Sequence, residues 1–260
     1  MVWDRMTRQE EGGEGVSVMA GKLADKVAVV TGASRGIGRA ISIALAEEGA
    51  IVVLAARSVP KLSETAELVQ QAGGKAEIIP TDLLREDSIK NLVKAIEKKF
   101  GRLDILVNNA GITHSSKFEE TKTQDWLRCM QVNATAPFIL CRETLPLLKK
   151  SPTSYIINIS SVVGVKGYPL QSAYTASKHA VRGMTISLAE ELNGSNVRVH
   201  LICPGGVDTE LIPQVRPDLK SEDLMRPEDI AELVLYLVTH KGKAMIDELR
   251  IRRTTSKPWF

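Results

Sequence analysis

The chain has 260 residues, 43% of them hydrophobic and 25% charged, which suits a soluble globular protein built as one large α/β domain or two small ones. A formal net charge of +3, with no Lys/Arg block longer than a pair, offers little to nucleic acid or a membrane surface, and no apolar run nears the ~18 residues of a membrane span. Cys129, Cys141 and Cys203 are scattered without metal-ligand spacing, so reduced thiols, a cytoplasmic location and no metal site are expected.

Residues 1–20 are mostly polar and Gly-rich and lack an apolar h-region. They read as a flexible extension rather than a signal peptide, with Met19 resembling a natural start and the fold expected over 21–260. Beyond them, short apolar β-branched runs at 27–30, 51–54, 77–79, 104–107, 155–159 and 197–202 alternate with longer amphipathic stretches. Continuous rather than alternating hydrophobicity predicts strands covered on both faces, and helical spacing such as Val181, Met184, Leu188 and Leu192 predicts crossover helices. The pattern is a single-domain, doubly wound parallel sheet, a Rossmann fold with helices on both faces.

The first predicted strand leads into Thr31-Gly-Ala-Ser-Arg-Gly-Ile-Gly38, which opens a helix running to about Glu48. Gly32, Gly36 and Gly38, with Ser34, Arg35 and Ile37 between them, suit a loop that approaches a pyrophosphate at a helix N-terminus. The spacing is Gly-x-x-x-Gly-x-Gly, so it is the strand before and the helix after that favour a dinucleotide over a ligand-free turn. At the end of the second strand an NAD site would carry an acid, whereas this chain has Ala55-Ala-Arg-Ser58. Arg57 and Arg35 offer two cations to a 2′-phosphate, so NADP(H) is the expected cofactor; two solvated surface arginines are the alternative. Asp82, after the third strand, either accepts from the adenine amino group or caps the helix beginning near Arg85. Asn108-Asn109-Ala110-Gly111 follows the fourth strand, where small and amide side chains suit a wall against a cofactor. A long helix is expected from about Lys122.

The apolar run 155–159 ends in Ser160 and Ser161, and Tyr174 and Lys178 follow, four residues apart. That spacing puts both side chains on one helical face. A phenol titrates near 10 and a nearby cation favours phenolate, so Lys178 is expected to pull the Tyr174 pKa down. A fall of ~2.5 requires roughly 3.4 kcal/mol. Tyr174 then serves as a general acid/base near neutral pH. Tyr-x-x-x-Lys is weak by itself, and a surface lysine lying over a tyrosine ring is the plain alternative.

Taken in order, Thr31-Gly-x-x-x-Gly-x-Gly38, Asn108-Asn-Ala-Gly111, Ser161 and Tyr174-x-x-x-Lys178 resemble the short-chain dehydrogenase/reductase family over roughly residues 22–240. The resemblance implies a nicotinamide cofactor and a catalytic set of Asn133, Ser161, Tyr174 and Lys178. Asn109, Ala110, Gly111, Tyr174 and Lys178 would also touch the cofactor, and Asn133 would hold a water linking Lys178 to solvent. Arg35 and Arg57 match the family's NADP-preferring pattern and Asp82 its adenine contact. Pro204-Gly205-Gly-Val207-Asp-Thr209 resembles the loop over the nicotinamide, and about 210–225 would be the substrate lid. The Gly-loop and length are most similar to 3-oxoacyl-[acyl-carrier-protein] reductases. The family scaffold equally serves sugars, hydroxy acids and diketones, and fold does not choose among them. A non-catalytic NADP-binding regulator, or an enzyme that isomerises through a transient ketone, are the other readings. A homodimer or homotetramer through helices near 122–149 and 171–192 is implied. The end departs from the family pattern: a strand over 246–251 is followed by Arg252-Arg-Thr-Thr-Ser-Lys-Pro-Trp-Phe260, with Trp259 and Phe260 read as a docking point or a loose tail.

Overall fold

In the computed structural model residues 21–216 and 218–258 are described. The extension expected over 1–20 and the tail residues Trp259 and Phe260 lie outside them. The elements in chain order are β1 (Val27–Thr31), α1 (Gly36–Glu47), β2 (Ile51–Ala56), α2 (Val59–Gln71), β3 (Lys75–Pro80), α3 (Glu86–Phe100), β4 (Ile105–Asn108) and α4 (Thr123–Met130). They continue with α5 (Ala136–Leu148), β5 (Ser154–Ile159), α6 (Ser172–Glu191), β6 (Val197–Pro204), α7 (Ile212–Val215), α8 (Pro227–Thr239) and β7 (Glu248–Ile251). All strands are parallel in one seven-stranded sheet of order β3-β2-β1-β4-β5-β6-β7.

The five inner strands are buried on both faces because their neighbouring residues feed two different cores, whereas the edge strands β3, expected to be covered in the same way, and β7 are only partly buried because each has one neighbouring strand. Ala28, Val30, Val52, Leu54, Ile105, Val107 and Ile157 point into the layer with α1, α2 and α8. Val27, Val29, Val53, Leu106 and Ile156 point into the layer with α3, α5 and α6. This alternation is the period-two geometry of a strand, and burial on both sides accounts for the unbroken apolar runs. Each fully buried aliphatic side chain contributes about 1.5–3 kcal/mol relative to exposure.

Helix ends follow from local chemistry. α3 begins with Glu86 and Asp87, ends with Lys98 and Lys99, and stops at Gly101 with φ 70°, matching charge to the helix dipole and glycine to the left-handed stop. α8 starts at Pro227, and the Asp229 carboxylate accepts from the Arg226 amide at 2.7 Å. The single long helix expected from Lys122 is instead α4 and α5 joined by a π turn over Gln131–Thr135. Pro137 has no N–H to return to the Asn133 carbonyl four residues earlier, so the ladder cannot run through unbroken.

Two buried polar clusters fix the central strands. At the N-terminal edge the Asp104 carboxylate, 1% exposed, accepts from Lys26 Nζ at 2.8 Å, the Val27 amide at 2.9 Å and Arg102 Nε at 3.2 Å. Further along, Asn108 Nδ2 donates to Asn158 Oδ1 at 2.8 Å, and Asn158 Nδ2 donates to Thr185 Oγ1 at 2.9 Å, tying β4, β5 and α6. These amide bonds tie strand register, with Asn108 Oδ1 left buried and without a hydrogen-bond partner among the described residues.

Candidate active site

The strand order reverses between β1 and β4, and the carboxyl edge of the sheet opens there into a cleft of about 1070 Å³. Ligands bind at such switch points because the connections leave in opposite directions. Thr31 closes the seam: its Oγ1 accepts from the Asn109 and Ala110 amides at 3.0 and 3.1 Å, and its carbonyl accepts from Asn109 Nδ2 at 2.9 Å. The Gly-rich loop fits into this seam closely. Gly32 has φ 67°, and a Cβ there would stand 2.9 Å from both Ala110 Cα and Asn109 Nδ2. Any larger residue would be strained and would also fill the groove. Ser34 anchors the loop through its carbonyl, which accepts from Arg39 at 2.8 Å.

Across the cleft, the end of β5 delivers Ser161 and the first two turns of α6 deliver Tyr174 and Lys178. Ser161 Oγ accepts from the Val163 amide at 3.3 Å and lies 3.4 Å from the Pro204 carbonyl. Tyr174 is 8% exposed and Lys178 4% exposed. Lys178 Nζ donates to the Ile159 carbonyl at 2.9 Å and lies 5.9 Å from the Tyr174 ring centroid. Asn133, in the π turn, accepts from the Ile112 amide and donates to the Ile112 carbonyl, both at 2.8 Å, and also donates to Ser177 Oγ at 2.9 Å. A methyl placed on Gly111 would lie 3.4 Å from Asn133 Oδ1 and 3.5 Å from Lys178 Nζ, so these three residues surround one small space.

The electrostatics depart from expectation. Burial pushes the Tyr174 phenol up to about 12, opposed by a hydrogen bond with Ser161. Burial also brings the Lys178 ammonium down to about 8. The expected lowering of Tyr174 by Lys178 is therefore absent here, because both groups are desolvated and the ammonium is directed at a backbone carbonyl.

The structure brings nearly all the sequence-predicted residues to one cleft. Gly32, Ser34, Arg35, Gly36, Ile37, Arg57, Asp82, Asn109, Ala110, Gly111, Ser161, Tyr174, Lys178, Pro204, Gly205, Val207 and Thr209 line it. Gly38 and Asn133 do not; the first packs under Gly32 and the second braces the Ile112 turn. Asp82 does not cap α3, whose N-cap is Arg85; its Oδ1 accepts from the Leu84 amide at 3.1 Å in the preceding turn. All three cysteines are buried and unpaired. Sequence reading missed Lys61 and Glu210, which also line the cleft. Lys61 lies in the first turn of α2, four residues after Arg57, and Glu210 directly follows Thr209, so adjacency to predicted residues was the available signal.

At the other margin the segment 208–225 is tied off at its base. Val207 bridges to Met225, the Asp208 amide donates to the Met225 carbonyl at 2.8 Å, and the Met225 amide donates to the Gly206 carbonyl at 3.1 Å. No group of three or more His, Cys, Asp or Glu able to hold a metal occurs among the described residues, and no helix among them is long and apolar enough to cross a membrane. A glycine cradle at the switch point, with Arg35 and Arg57 beside it, fits a dinucleotide bearing an additional phosphate.

Comparison with known proteins agrees with this geometry. The short chain dehydrogenase family profile matches residues 26–220. A 3beta-hydroxysteroid dehydrogenase from Mediterraneibacter gnavus is 40% identical over 202 residues, covering 77% of this chain and 73% of that protein. An uncharacterized oxidoreductase from Staphylococcus aureus is 36% identical over 230 residues, covering 88% and 98%. Among solved structures, a metagenomic short-chain oxidoreductase in complex with NADP matches with TM-score 0.79 and 38% identity over 90% of this chain and 99% of that one. An alcohol dehydrogenase from Thermococcus sibiricus complexed with 5-hydroxy-NADP matches with TM-score 0.83 and 31% identity over the same shares, 90% and 99%. A seven-stranded parallel sheet, a glycine cradle at its switch point and a buried tyrosine–lysine pair facing it thus meet in one chain, which belongs to the short-chain dehydrogenase family of oxidoreductases.

Proposed function

We propose that this protein is an NADP(H)-dependent oxidoreductase acting between a carbonyl and a secondary alcohol, with Ser161, Tyr174, Lys178 and Asn133 as its catalytic residues. The observation that carries this reading is the convergence of Ser161, Tyr174 and Lys178 on one wall of a cleft whose other wall is the Gly-rich loop with Arg35 and Arg57. Gly32, Gly36, Asn109, Ala110 and Gly111 would hold the dinucleotide, with Asp82 at the adenine end and Pro204, Gly205, Val207 and Thr209 at the other. NADPH, when bound, supplies the hydride for the carbonyl carbon.

The chain's own residues then handle the proton and the developing charge. Ser161 donates to the substrate oxygen as negative charge builds there. Tyr174, protonated at neutral pH because burial holds its pKa high, donates the proton to that oxygen. Lys178, whose pKa burial lowers to about 8, would return a proton to Tyr174 and regain one from solvent by way of the Asn133 segment. The π turn at Asn133 sets the helix ladder aside there. Segment 210–225 would close over the substrate as a lid within a single domain over 21–260.

Two substrate classes are favoured. The Gly-loop resemblance favours 3-oxoacyl thioesters, and 40% identity to a hydroxysteroid dehydrogenase favours ring ketones. Leu127, Phe138 and Ile186 are exposed apolar side chains on α4, α5 and α6. They support a homodimer or homotetramer, to be measured by light scattering. The buried free thiols accord with a reducing, cytoplasmic location. The test is NADPH consumption against acetoacetyl thioesters, 3-oxosteroids, sugars, hydroxy-acid precursors and diketones, with NADH and Tyr174→Phe as controls. Turnover lost in Tyr174→Phe supports the reading. Tight NADPH binding without turnover of any ketone would favour a non-catalytic regulator.

A further inference from the structure

Arg35, Arg57 and Lys61 line the β2 side of the cleft, and two of these cations are engaged by the opposite rim. The Glu210 carboxylate pairs through Oε2 with Arg35, and its Oε1 lies 3.7 Å from Lys61 Nζ. The neighbouring Thr209 presses on the Gly-rich loop: a Cβ on Gly36 would meet Thr209 Cγ2 at 3.0 Å. Glu210 is in turn held within its own segment, where its carbonyl accepts from Gln214 Nε2 at 2.9 Å. Arg57 has no carboxylate partner among the described residues, so the cluster of three cations and one carboxylate remains positive.

A carboxylate offers a guanidinium the same paired oxygens as a phosphomonoester. We infer that Glu210 is an internal competitor for the cofactor's 2′-phosphate, occupying the Arg35–Lys61 site until that phosphate displaces it, and that Lys61 is a third cation of the site. The inference rests on the reading of the cofactor as NADP(H). Binding of the phosphate and release of Glu210 from Arg35 and Lys61 are then one exchange. Affinity for a 2′-phosphorylated nucleotide is reduced by the fraction of molecules in which Glu210 holds the site. All three side chains in the contact are about half exposed (53%, 58% and 45%), and exposed ion pairs are modest in strength, so the expected effect is about three- to fivefold.

The test uses 2′,5′-ADP and 5′-AMP as probes, titrated by calorimetry at fixed ionic strength, with no catalytic readout. Glu210→Gln is expected to bind 2′,5′-ADP about three- to fivefold more tightly than wild type and 5′-AMP equally. Lys61→Met is expected to weaken 2′,5′-ADP, with a larger loss in the Glu210→Gln background, where no competitor is weakened alongside it. Unchanged 2′,5′-ADP affinity in Glu210→Gln, or an equal gain for both probes, overturns the inference while leaving the cofactor reading intact. Equal binding of 2′,5′-ADP and 5′-AMP by the wild type overturns the NADP reading, and the inference falls with it.

Discussion

The two edges of the sheet each bury a charge, and they treat it in opposite ways. At the N-terminal edge Asp104 is 1% exposed and surrounded by Lys26, Arg102 and the Val27 amide. Burial alone would raise its pKa, but hydrogen bonds from Lys26 and Val27 outweigh burial and hold the carboxyl below its ordinary value. At the C-terminal edge Lys178 is 4% exposed, and its ammonium has a backbone carbonyl in place of a carboxylate. Its pKa falls to about 8. A paired charge stays ionised across the working range and holds strands together; an unpaired one titrates near neutrality and is available for proton transfer. Strongly perturbed groups in a cleft are functional candidates for this reason.

The largest effect is expected at the C-terminal edge. Tyr174→Phe removes the proton donor and should lower kcat/KM by about 10³-fold, roughly 4 kcal/mol, with NADPH affinity little changed. Steady-state kinetics beside a binding titration separate these outcomes; an equal loss of cofactor binding would argue for a structural role.

Asp104→Asn should destabilise the fold by about 2–4 kcal/mol, since it breaks a buried pair and leaves cations without a partner. The sign with pH follows from the depressed folded pKa. Asp104 contributes fully above its unfolded value of about 3.9, and that contribution is lost as pH falls through the lower folded value. Urea melts should therefore show wild type and variant converging in acid.

Lys178→Met should do the reverse and stabilise by about 1–2 kcal/mol at neutral pH while abolishing most activity. The folded pKa of about 8 lies below that of an unfolded lysine, near 10.4. The unfolded chain therefore binds more protons between those values, and wild-type stability rises with pH across that window. The gain in melting temperature should be greatest below about pH 8 and should shrink above it. A destabilised variant at pH 7 would show Lys178 to be a paired structural charge like Asp104.

The smallest effect concerns the cation without a carboxylate. Arg57→Ala should reduce the preference for NADPH over NADH by about tenfold, read from the ratio of dissociation constants, with thermal stability unchanged.

Much of this molecule was legible along the chain because its signals are local. Unbroken apolar runs at 27–30, 51–54 and 155–159, alternating with longer amphipathic stretches, mark strands buried on both faces, while the run at 77–79 belongs to the partly exposed edge strand β3. Glycines between a strand and a helix, and a tyrosine four residues before a lysine, have geometric consequences that hold wherever the segment sits. The π turn was hidden because Pro137 within a helical pattern reads as a kink or a stop, and only packing of Asn133 on Ile112 and Ser177 chooses the form.

The sequence by itself determined the parallel sheet, the glycine cradle at its switch point and the residues that meet across it, since periodicity and spacing act over a few residues. The tertiary structure alone decided the protonation of Tyr174 and Lys178 and the engagement of Arg35 and Lys61 by Glu210. Those depend on desolvation and on charges brought together from 149–175 positions apart in the chain, and no local pattern encodes either.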